Sequence, residues 1–203
     1  MKIGIIDYKM GNIASLQNSF EKIGVTPSLI SDPEALISCD KVILPGVGAF
    51  HDAAEHLSEN GMDEAILSYA KSGKDLFGIC LGLQLLFQNS EESRGAEGLG
   101  LIPGKVVHFS SNTPKEQLKI PHMGWNKMFV SKEDALFNGI ENPYLYFVHS
   151  YHVECDDKYV LGRTDYGETF VSAVRHENVI GLQPHPEKSH DHGLKILKNF
   201  SDL

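Results

Sequence analysis

The sequence of 203 residues lacks closely paired cysteines, basic runs and long apolar stretches. Its three cysteines, Cys39, Cys80 and Cys155, are widely spaced and odd in number, so we expect neither a disulfide framework nor a zinc knuckle. This cysteine usage fits a cytoplasmic location. The formal net charge of -9, with no local run of Lys and Arg, argues against nucleic acid or an anionic membrane as a partner. The apolar part of the N-terminal segment, 3–6, is too short for a signal peptide or a membrane span.

The sequence does contain a regular alternation of short apolar strands and amphipathic helices through residue 90. This part is predicted to form strands at 3–6, 25–30, 41–44 and 75–79, and helices after Asn12, near Pro33 and over 62–71. Farther along we predict strands at 106–109, 144–148, 159–163, 170–175 and 179–183, a loop carrying 121–126, and a closing helix with Leu194, Leu197 and Phe200. The length suits one domain, 1–203, with an α/β fold: a mixed, mostly parallel central sheet with helices on both faces and an antiparallel C-terminal extension.

Cys80 stands between Gly78 and Gly82, where a predicted strand gives way to a helix. The symmetric glycines resemble a nucleophile elbow with cysteine in place of serine, because a sharp strand-to-helix turn needs small neighbours. The unpaired amides and the dipole of the following helix favour the thiolate, which is the reactive form of cysteine. A lone cysteine after an apolar strand is more often a small core residue, so this local pattern leaves a catalytic role and a structural role open.

A cysteine nucleophile needs a base, usually a histidine whose ring is held by a third group. His185 and Glu187 are two residues apart, so an extended backbone would send both side chains to one face. The prolines on either side of His185 favour that extension. The segment 152–154 also has a histidine and a glutamate at this spacing. We prefer His185 as the base because its backbone is stiffer, but spacing alone does not exclude His152.

Glycines at 46 and 48 could present backbone amides to a developing oxyanion. The segment lacks the third glycine of a dinucleotide fingerprint and the Gly-Lys-Ser/Thr of a phosphate loop, and taken alone it reads most simply as a tight turn. His190 and His192 are two residues apart with no third ligand nearby, which indicates a solvated helix start rather than a metal site. We therefore expect no metal and no cofactor.

Three of these segments together resemble the class I glutamine amidotransferases, whose catalytic triad is Cys-His-Glu: GICLGLQ at 78–84, PGVGAF at 45–50 and HPEKS at 185–189. Three more segments are similar to the glutaminase subunits of imidazole glycerol phosphate synthases: IDY with MGN at 6–12, PHMGWN at 121–126 and YFVHSY at 146–151. The resemblance covers nearly the whole chain. It implies the fold of class I glutamine amidotransferases.

The resemblance also implies an activity and a set of residue roles. Cys80, His185 and Glu187 would form the triad and act through a glutamyl-thioester. Backbone groups of Gly46, Val47, Gly48 and Leu81 would hold the oxyanion. L-Glutamine would meet Gly48, Gln84, His149, Ser150 and Tyr151, and the partner subunit would meet Trp125, Asn126, Tyr146 and Lys188. That partner would be a (β/α)8-barrel cyclase, which receives the ammonia within a heterodimer and makes imidazole glycerol phosphate in histidine biosynthesis.

One departure from the family is Pro184, where phenylalanine is usual, so an aromatic contact and a backbone N–H beside His185 are both absent. A paralogous branch of the family, which supplies ammonia for amidination of a surface-polysaccharide sugar, remains an alternative. A second alternative is an elbow-type cysteine hydrolase acting on peptides or damaged proteins. A third is a regulatory binding module that keeps the fold, in which Cys80 would be no more reactive than Cys39 or Cys155.

Overall fold

The first half of the chain alternates strands and helices in this computed structural model, which describes residues 1–93, 95–109 and 119–203. The strands are β1 (Ile3–Ile6), β2 (Ser28–Ile30), β3 (Lys41–Leu44) and β4 (Asp75–Ile79). The helices are α1 (Ile13–Lys22), α2 (Pro33–Leu36), α3 (Phe50–Ser58), α4 (Met62–Lys71) and α5 (Leu81–Leu85). The predicted strands at 3–6, 41–44 and 75–79 and the predicted helix at 62–71 are confirmed, whereas β2 is shorter than predicted.

Helix α3 is the element of this half that the sequence pattern did not predict. Ala49 precedes it and has no side chain that could cap the first turn. The carboxylate of Glu92 instead accepts a hydrogen bond from the Phe50 amide at 2.9 Å. Capping side chains are the usual sequence sign of a helix start. Here the cap comes from a residue 42 positions away, so no local sign exists.

The described residues of the second half contribute seven strands and one α-helix: β5 (Lys105–His108), β6 (His122–Val130), β7 (Tyr144–His149), β8 (Tyr151–Glu154), β9 (Val160–Tyr166), β10 (Glu168–His176), β11 (Val179–Leu182) and α6 (His190–Asp202). The predicted loop at 121–126 is wrong from His122 onward, because this segment belongs to β6. Strand β7 pairs with one edge of β6 and β9 with the other. Residues 122–127 pair with β7 and residues 128–130 with β9, so the pairing with β7 makes a strand of a sequence too polar and glycine-containing to suggest one. Strand β8 was likewise not predicted.

One sheet holds all eleven strands of the described residues, in the order β2-β1-β3-β4-β11-β10-β9-β6-β7, with β8 pairing with β10 and β5 with β8 off this path. Strands β2, β1, β3, β4 and β11 run parallel, and the pairs from β11 to β7 are antiparallel. The predicted mixed sheet with an antiparallel extension is therefore confirmed.

The central sheet is covered by helices on both faces, as predicted. One core cluster lies under α3, α4 and α5 and includes Phe50, Ile66 and Leu85. The other lies under α1 and α6 and includes Phe20 and Phe200. Within the part of the chain that the structure describes, no helix is both long enough and apolar enough to cross a membrane.

The last hairpin decides where the C-terminal segment lies. Strand β11 is antiparallel to β10 but inserts beside β4, to which it is parallel, with Leu182 opposite Ile79. The Cys80 amide donates to the Leu182 carbonyl at 2.8 Å. The residues that follow β11 therefore emerge next to Cys80, at the carboxyl ends of two neighbouring parallel strands. Such edges are where α/β proteins build their sites.

Candidate active site

Cys80 joins β4 to α5 in a strained backbone conformation, with φ of 56° and ψ of -110°. A non-glycine residue at positive φ is held there only by its surroundings. Both flanking glycines are required by close packing. A Cβ at Gly82 would overlap the backbone carbonyl of Leu44, and a Cβ at Gly78 would lie 2.6 Å from the Gly82 carbonyl oxygen. The predicted elbow is therefore the observed geometry, and it presents the Cys80 side chain at the top of the sheet.

His185 is held beside Cys80 by backbone contacts with a neighbouring strand. Its amide donates to the Tyr146 carbonyl at 2.8 Å, and its own carbonyl accepts from Ser189 Oγ at 2.6 Å. The backbone at His185 is extended, as predicted, with φ of -95° and ψ of 99°. Pro184 is buried and has a hydrogen-bonded amide on each side, at Gln183 and His185. The lack of an N–H at Pro184 therefore does not interrupt the backbone hydrogen bonds that hold this segment in place.

Glu187 orients the His185 ring. Its Oε1 lies 2.7 Å from His185 Nδ1, and the two side chains are 5% and 2% exposed. The expected extended path between them is wrong, because Pro186–Lys188 forms a 3-10 turn. The turn still brings the carboxylate to Nδ1, which leaves Nε2 as a buried ring nitrogen with no hydrogen-bond partner among the described residues.

The charges of this cluster favour the imidazolium form of His185. Burial lowers the pKa of His185, but the negative charges of Cys80 and Glu187 outweigh burial and raise it to about 10. Gln183 Nε2 also lies 3.8 Å from the Cys80 sulfur and can donate to it. Sequence reasoning missed Gln183. The one sequence feature that could have indicated its role was its polar side chain at the end of an apolar strand, two positions before His185.

His152 does not occupy this place. Its Nε2 lies 3.5 Å from Oε1 of Glu168, and burial lowers its pKa. Glu154, its partner by sequence spacing, lies 3.3 Å from Lys105 Nζ. The alternative base left open by the spacing therefore faces a different cluster, and the geometry favours His185.

A cavity of about 290 Å³ opens over Cys80. It is lined by every residue expected to bind glutamine, namely Gly48, Gln84, His149, Ser150 and Tyr151, and also by Glu92 and Pro121, which were not predicted. The Gln84 side chain is already engaged, since its Nε2 donates to the Tyr151 carbonyl at 3.0 Å and to Gln183 Oε1 at 3.3 Å. A volume near the lower end for small-molecule sites suits a ligand of amino-acid size.

The 47–48 segment forms part of one wall of this cavity. Val47, Gly48 and Leu81 line it, whereas Gly46 lies behind the wall in a small gap beside His185 and Glu187. Gly48 has φ of 107°, which favours glycine. Three of the four expected oxyanion residues are thus at the cavity, and the fourth is not.

The residues expected to meet a partner divide into two groups. Trp125 is 46% exposed, stacks on His190 with ring centroids 4.9 Å apart and approaches the Tyr146 ring. Lys188 Nζ lies 5.7 Å from the centre of the Tyr146 ring, so these side chains form one aromatic and basic surface. The Asn126 amide instead bonds within the chain and donates to the Asp165 carbonyl at 2.9 Å. Among the described residues, no cluster of three or more His, Cys, Asp or Glu could hold a metal ion.

Cys80 should react with a glutamine-mimicking electrophile much faster than the other two cysteines. Burial raises the pKa of Cys39, and burial raises the pKa of Cys155 to about 11. At neutral pH the Cys155 thiol is therefore almost entirely protonated, which is the less reactive form. Peptide mass spectrometry after brief exposure should find the label on Cys80 alone. Equal labelling of Cys39 or Cys155 would instead support the binding module without a reactive cysteine.

Comparisons with known proteins identify the family of this chain. The model of the family "Glutamine amidotransferase class-I" matches residues 4–202. The chain is 61% identical over 201 residues to the imidazole glycerol phosphate synthase subunit HisH of Sulfurimonas denitrificans, covering 98% of this chain and 97% of that protein. It is 50% identical over 203 residues to the HisH subunit of Wolinella succinogenes, covering 99% of both. At the level of fold it is similar to PurLQS from Thermotoga maritima, with a TM-score of 0.79, 24% identity and coverage of 99% and 97%. The chain therefore belongs to the class I glutamine amidotransferase family.

Proposed function

We propose that this chain is the glutaminase subunit of an imidazole glycerol phosphate synthase and hydrolyses L-glutamine to glutamate and ammonia. The observation that carries the proposal is the cluster of Cys80, His185 and Glu187 at a cavity also lined by Gln84 and His149. The pathway assignment is supported by full-length similarity to proteins named as HisH subunits of that synthase. The chain would act as one domain, 1–203, in the cytoplasm.

The proposed reaction is acyl transfer through Cys80. The thiolate attacks the side-chain amide carbon of glutamine, and a C–S bond forms while the carbonyl oxygen becomes an oxyanion. His185 then gives its proton to the nitrogen, the C–N bond breaks, and ammonia leaves behind a glutamyl-thioester. Water next gives a proton to His185 and attacks the thioester, and the C–S bond breaks to return the thiolate and release glutamate.

Two other parts of the site support this reaction. Glu187 keeps Nδ1 of His185 as the hydrogen-bonded nitrogen and stabilises the imidazolium that appears in each half of the cycle. Backbone amides of the 47–48 segment and Leu81 would stabilise the oxyanion, since these residues border the cavity next to Cys80. Gly46 is not needed at the oxyanion in this scheme.

The ammonia would pass to a separate (β/α)8-barrel cyclase subunit. The surface of Trp125, Tyr146 and Lys188 is the proposed contact, because Trp125 is exposed, the other two side chains are half-buried, and the surface directly adjoins the backbone that holds His185. A partner bound there would contact β7, the strand whose Tyr146 carbonyl accepts a hydrogen bond from the His185 amide.

Co-purification with candidate partners tests the assignment. The cyclase subunit from the same organism should form a one-to-one complex with this chain, raise its glutamine hydrolysis by at least about tenfold and yield imidazole glycerol phosphate from glutamine. Stimulation only by a partner that amidinates a sugar would transfer the chain to the paralogous branch. Turnover of a peptide substrate without any partner would overturn the glutaminase assignment.

A further inference from the structure

His122 and His149 form a buried pair that the catalytic scheme does not use. They lie opposite each other on β6 and β7 and are 2% and 6% exposed. His122 Nδ1 lies 3.0 Å from His149 Nε2. Beyond the pair, His149 Nδ1 lies 2.8 Å from the Tyr151 carbonyl, and Asn126 Nδ2 lies 3.3 Å from His122 Nε2. We call the line from Asn126 through His122 and His149 to the Tyr151 carbonyl the histidine chain.

The Tyr151 end of the histidine chain determines where the protons lie. A carbonyl oxygen only accepts, so the hydrogen of a neutral His149 is on Nδ1 and its Nε2 has none. His149 Nε2 must then accept from His122, which puts the hydrogen of His122 on Nδ1. His122 Nε2 is left as an acceptor, and it faces the Asn126 amide.

The Asn126 end leads to the same assignment independently. Asn126 Oδ1 accepts from the Lys127 amide at 2.8 Å, and Asn126 Nδ2 donates to the Asp165 carbonyl at 2.9 Å, so the orientation of the amide is fixed. The second hydrogen of Nδ2 points at His122 Nε2, which must be unprotonated to receive it. Both ends therefore require the same tautomer of His122.

The surroundings favour the neutral form of both rings and pack closely around His122. Burial lowers the pKa of His122 to about 4 and is the main cause that lowers the pKa of His149 to about 3. The His122 ring is stacked between Phe147 and Tyr166, with centroids 4.7 and 3.9 Å away. Phe109 and Phe170 border it edge-on. No charged side chain among these neighbours would favour an imidazolium.

The histidine chain ends at the glutamine cavity. His149 lines that cavity together with His185, and the charge of His185 itself disfavours protonation of His149. The Tyr151 carbonyl that His149 bonds also accepts from Gln84, and the carbonyl of Val148, next to His149, lies 4.0 Å from the Cys80 sulfur. The orientation of the His149 ring therefore influences the cavity wall on both sides of this residue.

We infer that His122 is a positioning residue for glutamine binding: by donating from Nδ1, it holds His149 neutral, in its Nδ1–H tautomer and in one orientation. His149 then keeps the 148–151 wall of the cavity in place while His185 nearby carries the proton of catalysis. Two imidazoles in one pocket thus have opposite protonation states, which is how a site separates a binding role from an acid-base role. The consequence for glutamine rests on the proposed function, whereas the tautomers do not.

Two substitutions at His122 separate its hydrogen bond from its bulk. In His122→Asn the amide nitrogen takes the place of Nδ1 and keeps a donor, whereas His122→Leu fills the space without one. In the complete complex, the leucine variant should raise KM for glutamine about tenfold with little change in kcat, since His149 Nε2 is left buried without a donor. The asparagine variant should stay within about threefold of the unchanged protein. His152→Leu is the matched control. It removes another buried histidine, one outside the histidine chain, and should leave KM for glutamine unaltered.

Nitrogen-15 NMR of the histidine rings in the full-length chain gives a readout independent of turnover. His149 and His122 should each show a protonated Nδ1 and an unprotonated Nε2 from pH 6 to 8, and in the leucine variant His149 should lose its single tautomer. A protonated Nε2 on His149 in the unchanged protein, or equal KM values for the leucine variant and the unchanged protein, would overturn the inference. If the leucine variant does not fold, the spectrum of the unchanged protein still decides. If the protein showed these tautomers but had no glutaminase activity, the result would count against the proposed function and not against the inferred tautomers.

Discussion

Replacing Cys80 by alanine should lower glutamine-dependent synthesis by the complex at least about 10⁴-fold, the scale on which single nucleophile removals act in triad hydrolases. The thiolate is the atom that bonds to the substrate, and the cavity contains no other cysteine. Its removal leaves the cavity and the fold largely intact, because the side chain is small and its strained backbone is set by the glycines around it. Glutamine should therefore still bind.

The same variant should keep the synthetic reaction of the partner when ammonium salts replace glutamine. Steady-state rates with each nitrogen source would measure the two activities, and Cys155→Ala serves as a control that leaves both unchanged. Loss of both activities in Cys80→Ala would mean that Cys80 supports the fold or the interface rather than the chemistry. Retention of the glutamine-dependent rate would remove Cys80 from the mechanism altogether.

Replacing Glu187 by glutamine should lower kcat for glutamine hydrolysis about 10²- to 10⁴-fold, as substitution of the third triad member does elsewhere. The carboxylate is buried and accepts from His185 Nδ1 at 2.7 Å. A glutamine amide can turn its NH₂ group to that nitrogen and so favour the wrong tautomer. The change also removes a negative charge that raises the pKa of His185.

The pH dependence follows from the sign of that shift. The pKa of His185 is raised to about 10, so its imidazolium is present at neutral pH and is lost as pH rises through that value. Without the Glu187 charge, the pKa of His185 falls and the alkaline limb of the pH-rate profile should move to lower pH. Glu154→Gln provides a matched control, since it follows His152 at the same spacing but pairs with Lys105 at the surface. An unchanged alkaline limb in Glu187→Gln, or an equal loss in both variants, would contradict the assigned role of Glu187.

The features predicted from sequence are those that depend on near neighbours along the chain. The elbow at Cys80 follows from two glycines that flank it within a strand-to-helix transition. The strands at 41–44 and 75–79 and the helix at 62–71 follow from apolar periodicity and from the residues at their ends. The preference for His185 over His152 came from adjacent prolines, and the family resemblance carried it further to a Cys-His-Glu triad.

The features that escaped prediction depend on contacts between distant segments. Helix α3 is capped by Glu92, and strand β6 forms because its first part pairs with β7 and its last part with β9. Gln183 lies beside the Cys80 sulfur and His122 beside His149 only once the sheet is assembled. The spacing of residues along the sequence does not indicate such contacts.

By itself, then, the sequence determined that a cysteine stands at a strand-to-helix corner and that a stiff histidine segment follows a late apolar strand. The tertiary structure decided that these two meet. Strand β11 enters the sheet beside β4, and the Cys80 amide bonds the Leu182 carbonyl, so two segments about a hundred residues apart share one edge. The physical reason is that strand order depends on long-range hydrogen bonding and burial, which no short stretch of sequence specifies.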